Sequence, residues 1–216
     1  MCALYILKRE VLMEILKREW KHNASPKSSG VLHTLASLVA FACIVLAVSS
    51  ASAQNPPAVG SKAPDFTLET PTGQSVSLAE MRAKGTVVLV LLRGYPGYQC
   101  PYCTKQVHDF IDHGADFAGK KANVLFVYPG PPAALDQRAK EFLAKQADLP
   151  SNMTMVVDPD YKMTNLYGLR WDAPHETSYA STFILNKGGK ILFEKVSHTH
   201  DDRASAEDVL RQLKTN

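Results

Sequence analysis

The chain has 216 residues, of which 45% are hydrophobic, enough to bury the core of one globular domain. Six of its 24 Lys and Arg residues and three of its 21 Asp and Glu residues lie in residues 1–53, which leaves 18 charges of each sign in the rest of the chain. The sequence pI of about 8.6 therefore originates in the amino-terminal segment. This balance argues against nucleic acid as a partner, because a nucleic-acid-binding domain needs a basic patch of its own.

Residues 1–53 are predicted to be a leader that contains a signal peptide. Leu32–Val48 is an apolar stretch behind a basic segment, and the tripeptide ASA at 51–53 is a small-residue cleavage site. The expectation is export to the periplasm or another extracytoplasmic compartment. Retention as a membrane anchor is the alternative, because the apolar stretch approaches the length of a membrane span and Met1–Trp20 has helical amphipathic spacing.

The distribution of cysteines points to chemistry. Cys2 and Cys43 lie in the leader, so the exported domain keeps only Cys100 and Cys103. A disulfide between them is expected in an oxidising compartment, yet it closes a very small loop and constrains little of the unfolded chain. The pair is therefore predicted to be redox-active.

A predicted linker, residues 54–58, precedes an α/β domain over residues 59–216. Phe66–Leu68 and Ser75–Leu78 flank turn residues and predict a leading β-hairpin. Val87–Leu92 is a continuous apolar run, which predicts a strand buried on both faces, and a helix with Cys103 on its apolar face follows. The alternation of strands and helices predicts three layers with a mixed central sheet. The later predicted elements are a strand Val124–Tyr128, a chain break Pro129–Pro132, a helix Leu135–Leu143, a strand Met153–Val157, a short helix Tyr161–Tyr167, a hairpin of Thr182–Leu185 and Ile191–Val196, and a closing helix Ala206–Leu213.

This order of elements, with a CxxC motif (CPYC) at the start of the helix after the first central strand, resembles the thioredoxin fold. The segment VGSKAPDFTL at 59–68 and the segments STFIL at 181–185 and GGKI at 188–191 resemble the alkyl hydroperoxide reductase/thiol-specific antioxidant, or peroxiredoxin, family. The likeness covers nearly all of residues 56–216. It implies an antioxidant thiol peroxidase that needs no bound organic cofactor, because sulfur carries the electrons.

The active-site motif of that family is only partly present. Its proline and its peroxidatic cysteine correspond to Pro96 and Cys103, but its Thr or Ser position holds Cys100. The arginine that the family places before the late strand corresponds to Ala180. The resemblance therefore implies the fold and the thiol chemistry, and the replaced residues leave the donors that assist peroxide reduction to be found elsewhere.

Local structure predicts how one of the two sulfurs is activated. A proline at the first helical position places Cys100 at the N-cap and Cys103 in the first turn, near the positive end of the helix dipole. This placement lowers a cysteine pKa and produces the nucleophilic thiolate. Arg93 is the first candidate for an assisting cation and His175 the second, whereas Lys105 is expected to be a solvated surface charge.

Two mechanisms are consistent with the motif. In the peroxiredoxin type, the Cys103 thiolate attacks a hydroperoxide, Cys100 resolves the sulfenic acid as a disulfide, and an external thiol such as a thioredoxin-like protein restores the dithiol. In the thioredoxin type, Cys100 attacks a protein disulfide and Cys103 resolves the mixed disulfide. The first mechanism is the preferred interpretation.

Two classes outside redox enzymology also fit parts of the sequence. A copper or zinc protein would combine the CxxC with His198 and His200, but a second CxxC is missing, so no metal site is predicted. A binding module without activity would explain Ala180, yet Pro96 and both cysteines are retained.

Overall fold

A seven-stranded mixed β-sheet organises residues 55–213, the part of the chain that the computed structural model describes. The predicted leader and residue 54 lie outside these described residues. Between residues 55 and 213, no helix is long and apolar enough to cross a bilayer. The strands are β1 (Thr67–Glu69), β2 (Ser75–Ser77), β3 (Thr86–Leu91), β4 (Ala122–Gly130), β5 (Met153–Pro159), β6 (Ser181–Leu185) and β7 (Ile191–Val196). The helices are α1 (Leu78–Lys84), α2 (Pro101–Asp112), α3 (Gly114–Gly119), α4 (Leu135–Leu143), α5 (Lys162–Leu166) and α6 (Ala206–Gln212).

The strand order is β2-β1-β5-β4-β3-β6-β7. β3, β4 and β5 are parallel to one another, whereas β6 runs antiparallel to β3 and β1 antiparallel to β5. The predicted leading hairpin is present, with β1 and β2 paired so that Leu68 lies opposite Val76. The observed sheet thus confirms the predicted mixed α/β architecture.

The central strand β3 supplies both cores of the domain. Because side chains alternate along a strand, Val88 and Val90 face α2, α4 and α6, whereas Val87 and Leu89 face α1 and α5. All four side chains are fully buried. Burial of an aliphatic side chain stabilises the fold by about 1.5 to 3 kcal/mol, so this strand holds the two helical layers to the sheet.

The structure corrects the sequence prediction at three places. The predicted break at Pro129 is wrong, because β4 continues through Gly130, paired with the end of β5. Leu78 begins α1 instead of ending the hairpin, since Ser77 caps this helix by accepting a hydrogen bond from the backbone of Glu80. Neither α1 nor the short α3 was predicted; α3 begins and ends with glycine, a poor helix former, and packs against the start of β4.

Candidate active site

The two cysteines lie where β3 delivers the chain to α2. Cys100 is the N-cap of α2 in an extended conformation, and Pro101 occupies the first turn, as its sequence position predicted. The backbone N–H of Cys103 donates to the carbonyl of Cys100 over 3.1 Å, which places Cys103 within the first turn. Both sulfurs thus lie at the end of the helix where unpaired N–H groups favour negative charge.

Both thiols are buried and free in the structure. Cys103 shares the inner face of α2 with Gln106, Val107 and Phe110, a helical spacing that turns it towards the sheet. The exposed fraction is 1% for Cys100 and 0% for Cys103. Only a small reagent reaches sulfurs in this arrangement without displacement of the surrounding side chains.

Gly94 allows the chain to pass from β3 to the cysteines. Its φ of +70° lies in the left-handed region, and a Cβ at this position would clash with the carbonyl oxygen of Pro129. The next residue, Tyr95, donates its backbone N–H to the same oxygen over 2.9 Å. This contact ties the loop that carries half-buried Pro96 and the cysteines to the end of β4.

Arg203 places its guanidinium beside both sulfurs. Its Nη1 is 3.5 Å from Cys103 Sγ, and its Nη2 is 3.9 Å from Cys100 Sγ. The side chain is held by two further hydrogen bonds, from Nε to the carbonyl of His200 at 2.7 Å and from Nη1 to Oε1 of Gln106 at 3.0 Å. The sequence analysis did not identify this residue, although it supplies the charged donor that is missing at Ala180.

Arg93, the predicted cation, is buried, with an exposed fraction of 2%. It donates from Nε to Glu176 Oε2 at 2.6 Å, from Nη1 to the hydroxyl of Tyr98 at 2.8 Å, and from Nη2 to the carbonyl of His175 at 2.6 Å. Burial opposes its charge, but the hydrogen bonds to Glu176 and Tyr98 outweigh burial and raise the pKa of Arg93. Arg93 therefore remains charged, and its proximity contributes to the low pKa of Cys100.

Glu176 connects the two arginine regions. Its Oε1 lies 2.9 Å from Nε2 of His200, while its Oε2 accepts from Arg93. Burial alone would raise the pKa of this carboxyl group, but the hydrogen bonds from Arg93 and His200 hold the pKa of Glu176 below its ordinary value. A negative charge is thus maintained within the site by two basic partners.

The two thiols differ in their pKa directions. The hydrogen bond from Cys103, which outweighs burial, together with the charge of Arg203 and the hydrogen bond of Arg93, lowers the pKa of Cys100 to about 5. Burial and the hydrogen bond to Cys100 raise the pKa of Cys103 well above its usual range. These opposite directions favour a Cys100 thiolate that accepts a hydrogen bond from a neutral Cys103 thiol.

Three other residues considered in the sequence have no contact with the sulfurs among the interactions of residues 55–213. The exposed His175 contributes its carbonyl oxygen to Arg93, and Lys105 is an exposed side chain of α2. His198 packs against the ring of Tyr179, at 5.5 Å between centroids. Across the described range, no group of three or more His, Cys, Asp or Glu residues could hold a metal ion.

A surface cavity of about 350 Å³ adjoins the site on the side of Arg203. It is lined by Tyr102, Lys105, Gln106, Asp109, Asp201, Arg203, Ala204 and Ser205. Since Gln106 and Arg203 contact each other and Arg203 contacts both sulfurs, the cavity ends within one side chain of the dithiol.

Comparison with known proteins decides the family. Residues 59–193 match the AhpC/TSA family. The chain belongs to this family. A Helicobacter pylori relative named as a peroxiredoxin is 32% identical over 160 residues, which cover 72% of this chain and 97% of the relative. A Mycobacterium tuberculosis relative, also named as a peroxiredoxin, is 32% identical over 139 residues, which cover 62% of this chain and 81% of the relative.

Solved structures show the same fold. A peroxidoxin from Mycobacterium tuberculosis superposes with a TM-score of 0.58 at 22% identity, over 74% of this AhpC/TSA chain and 97% of the peroxidoxin. A thiol:disulfide interchange protein from Chlorobium tepidum superposes with a TM-score of 0.53 at 25% identity, over 73% of this chain and 99% of that protein. These structures confirm the predicted thioredoxin fold, and the family match with the relatives above confirms the resemblance to peroxiredoxins and the thiol peroxidase activity.

The pairing of the strands explains why Arg203 lies beside the cysteines. Register places Leu91 of β3 opposite Ser181 of β6, and Ser181 opposite Val196 of β7. The carboxyl end of β3, the amino end of β6 and the carboxyl end of β7 therefore lie at the same end of the sheet. The segments that carry Arg93, Glu176 and Arg203 meet there because each adjoins one of these strand ends.

Proposed function

We propose that this AhpC/TSA protein reduces small hydroperoxides by cycling Cys100 and Cys103 between a dithiol and a disulfide. The observation that carries the proposal is the guanidinium of Arg203, which lies 3.5 Å from one sulfur and 3.9 Å from the other. A fixed cation at this point favours the thiolate and stabilises the negative charge that develops on the peroxide oxygens. The same cation also faces the thiol that closes the disulfide.

The electron balance of the cycle requires no further cofactor. The Cys100 thiolate attacks one peroxide oxygen, an S–O bond forms, and the O–O bond breaks. The departing oxygen leaves as water or an alcohol after it takes the proton of Cys103. The Cys103 thiolate then attacks the sulfenic sulfur, hydroxide leaves and is protonated by solvent, and two electrons have passed from the dithiol to the peroxide.

The family motif and the pKa values of the two thiols favour different cysteines as the nucleophile. The family resemblance assigns the attack to Cys103, whereas the low pKa of Cys100 and the full burial of Cys103 favour Cys100. We propose Cys100 as the nucleophile, because the thiolate and not the thiol attacks peroxide. Cys103 is then the resolving thiol.

Burial supports a small oxidant over a protein disulfide. Neither cysteine residue is more than 1% exposed, while thiol–disulfide exchange requires the attacked sulfur of a partner protein to align with the thiolate. The second candidate function is thiol–disulfide exchange, and the similarity to the Chlorobium tepidum interchange protein favours it. Attack by Cys100 is common to both functions, so the substrate distinguishes them.

A return to the dithiol requires an external thiol, for which a thioredoxin-like protein is the proposed class. Two exposed tyrosines flank Cys100 at the surface, Tyr98 with 46% and Tyr102 with 42% exposure. Aromatic side chains of this kind are favourable contacts in a protein interface. We also propose that the protein acts outside the cytoplasm as an exported domain, on the basis of the signal-peptide pattern in residues 1–53.

Stopped-flow measurement tests the proposed substrate. The reduced protein is mixed with hydrogen peroxide, with a bulky organic hydroperoxide and with an oxidised client protein, and loss of thiols is followed in each. Fast oxidation by hydrogen peroxide, with a rate at least tenfold above that for the protein disulfide, is expected. Faster oxidation by the protein disulfide would establish the exchange function instead.

A further inference from the structure

Glu176 and His200 form a bridge between the loop before β6 and the segment that carries Arg203. Oε1 of Glu176 lies 2.9 Å from Nε2 of His200, and the carbonyl of His200 accepts from Nε of Arg203 at 2.7 Å. The guanidinium of Arg203 then reaches both sulfurs. A continuous series of contacts thus connects the carboxylate of Glu176 with the dithiol.

The segment 197–205, which lies between β7 and α6 and carries Arg203, has no regular secondary structure. Its ends are fixed, because Ser197 donates its backbone N–H to the carbonyl of Ala180 and the backbone N–H of Ala206 donates to Asp109. Between those ends, the contact of His200 with Glu176 fastens the segment to the half-buried loop before β6. An arginine side chain has many rotamers, so its position depends on such anchors.

We propose that Glu176 is a positioning residue that acts through His200 to hold the Arg203 guanidinium against the two sulfurs. The proposal rests on the dithiol chemistry proposed above. Glu176 and His200 do not contact the sulfurs directly. They act on the sulfurs through the backbone carbonyl of His200, which holds the side chain of Arg203. Arg93 donates its Nε to the same carboxylate, so one acidic group contacts Arg93 directly and the segment of Arg203 through His200.

The direction in which the pKa of Cys100 changes distinguishes a positioning role of Glu176 from a direct effect of its negative charge. The charged and titratable groups around Cys100 are Cys103, Arg203, Arg93 and Tyr128. A carboxylate nearby disfavours a thiolate, so its removal by itself lowers a thiol pKa. Release of the arginines has the opposite effect and raises the pKa of Cys100. A positioning role therefore predicts a rise when Glu176 is neutralised.

The experiment uses the thiolate absorbance of the reduced protein, titrated against pH, together with its rate of oxidation by hydrogen peroxide. In His200→Ala, we expect the pKa of Cys100 to rise by about one unit or more, which alone reduces the thiolate fraction at pH 6 about twofold. Displacement of the Arg203 guanidinium also weakens stabilisation of the transition state, so the oxidation rate near pH 6 should fall about tenfold in total. His200→Gln retains an N–H donor for Glu176 and is expected to recover most of both properties. His198→Ala is the matched control, because His198 lies on the same segment and packs against Tyr179 instead of Glu176.

Glu176→Gln provides a second test that does not remove side-chain volume. We expect the same rise in the pKa of Cys100, with native far-UV circular dichroism. A fall in the pKa, or unchanged values in both His200→Ala and Glu176→Gln, overturns the positioning role. A wild-type protein that has the low pKa but is not oxidised by peroxide would instead overturn the proposed function and leave the positioning result intact.

Discussion

Nη1 of Arg203 lies 3.5 Å from Sγ of Cys103, although 100 residues separate them in the sequence. The family resemblance predicts an arginine at the position of Ala180, which is a buried alanine here. The charged donor thus comes from the segment between β7 and α6 instead of from the loop before β6. The two positions are neighbours, since the backbone N–H of Ser197 donates to the carbonyl of Ala180 over 2.9 Å. The charged donor therefore reaches the sulfurs from a segment that lies beside the position at which the family pattern places its arginine.

Loss of the Arg203 side chain is expected to slow oxidation by peroxide strongly. A preorganised charged donor contributes about 2 to 3 kcal/mol to a transition state, so Arg203→Ala should react roughly 30- to 150-fold more slowly. Arg203→Lys should recover only part of this loss, because a lysine lacks the planar fork that faces both sulfurs. Stopped-flow oxidation measures both rates. Arg211→Ala, an exposed position of α6, serves as control, and an equal loss of rate there would show that the effect is not specific to the site.

Single cysteine variants decide which sulfur attacks. If Cys100 is the nucleophile, Cys100→Ser is not oxidised rapidly by peroxide, whereas Cys103→Ser undergoes one oxidation and remains as a sulfenic acid. The serine hydroxyl retains a hydrogen-bond donor for the Cys100 thiolate, so that single oxidation should remain rapid. Trapping with a sulfenic-acid reagent followed by mass spectrometry identifies the modified residue. The reverse pattern would assign the attack to Cys103, as the family motif predicts.

The rate of oxidation is expected to follow the ionisation of Cys100. Since its pKa is lowered to about 5, the rate should rise between roughly pH 4 and pH 6 and remain constant through neutral pH. An ordinary cysteine, with a pKa of about 8.5, would show a rate that still increases above pH 7. The pH dependence of the second-order rate constant with hydrogen peroxide measures this. Half-maximal reactivity near pH 8 would contradict the described geometry.

The same two thiols make stability depend on pH in opposite directions. The lowered pKa of Cys100 contributes stability above its unfolded value of about 8.5, and this contribution decreases as the pH falls towards about 5. The raised pKa of Cys103 contributes stability below about 8.5 that is lost as the pH rises further. The free energy of unfolding of the reduced protein should therefore fall between pH 8 and pH 5, and fall less in Cys100→Ser. Denaturant unfolding at several pH values provides the measurement, and an equal slope in both proteins would contradict it.

Gly94 is expected to be required for the geometry of the site and for stability. Gly94→Ala places a methyl group against Pro129 at a positive φ, so the free energy of unfolding should decrease by about 2 to 4 kcal/mol. Oxidation by peroxide should slow as well, because the loop to Cys100 is displaced. Gly119→Ala is the control, since no atom lies within 4 Å of its added Cβ and its φ is not positive. Equal stability of the two variants in denaturant unfolding would contradict this role.

Most elements of the fold were predictable from the sequence because they depend on local pattern. Val87–Leu92 is apolar throughout and became the central strand almost residue for residue, since a strand covered on both faces needs no polar side. The helix after Cys100 was predicted from its proline and its apolar spacing. The end of β4 was not predicted, because Pro129 was interpreted as the end of the strand. The pairing of Pro129 and Gly130 with β5 is a tertiary interaction that no local pattern contains.

By itself, the sequence determined that Cys100 and Cys103 lie at the start of a helix in a thioredoxin fold, because spacing and helix capping are local properties. The tertiary structure decided which charges face the sulfurs. Arg203 and Glu176 belong to segments far from the motif in sequence. They lie near the cysteines because antiparallel pairing brings Leu91, Ser181 and Val196 to the same end of the sheet. Electrostatic interaction depends on distance in space, so the contribution of Arg203 to the ionisation of the dithiol follows from strand order, whereas the hydrogen bond between the two cysteines is local to the motif.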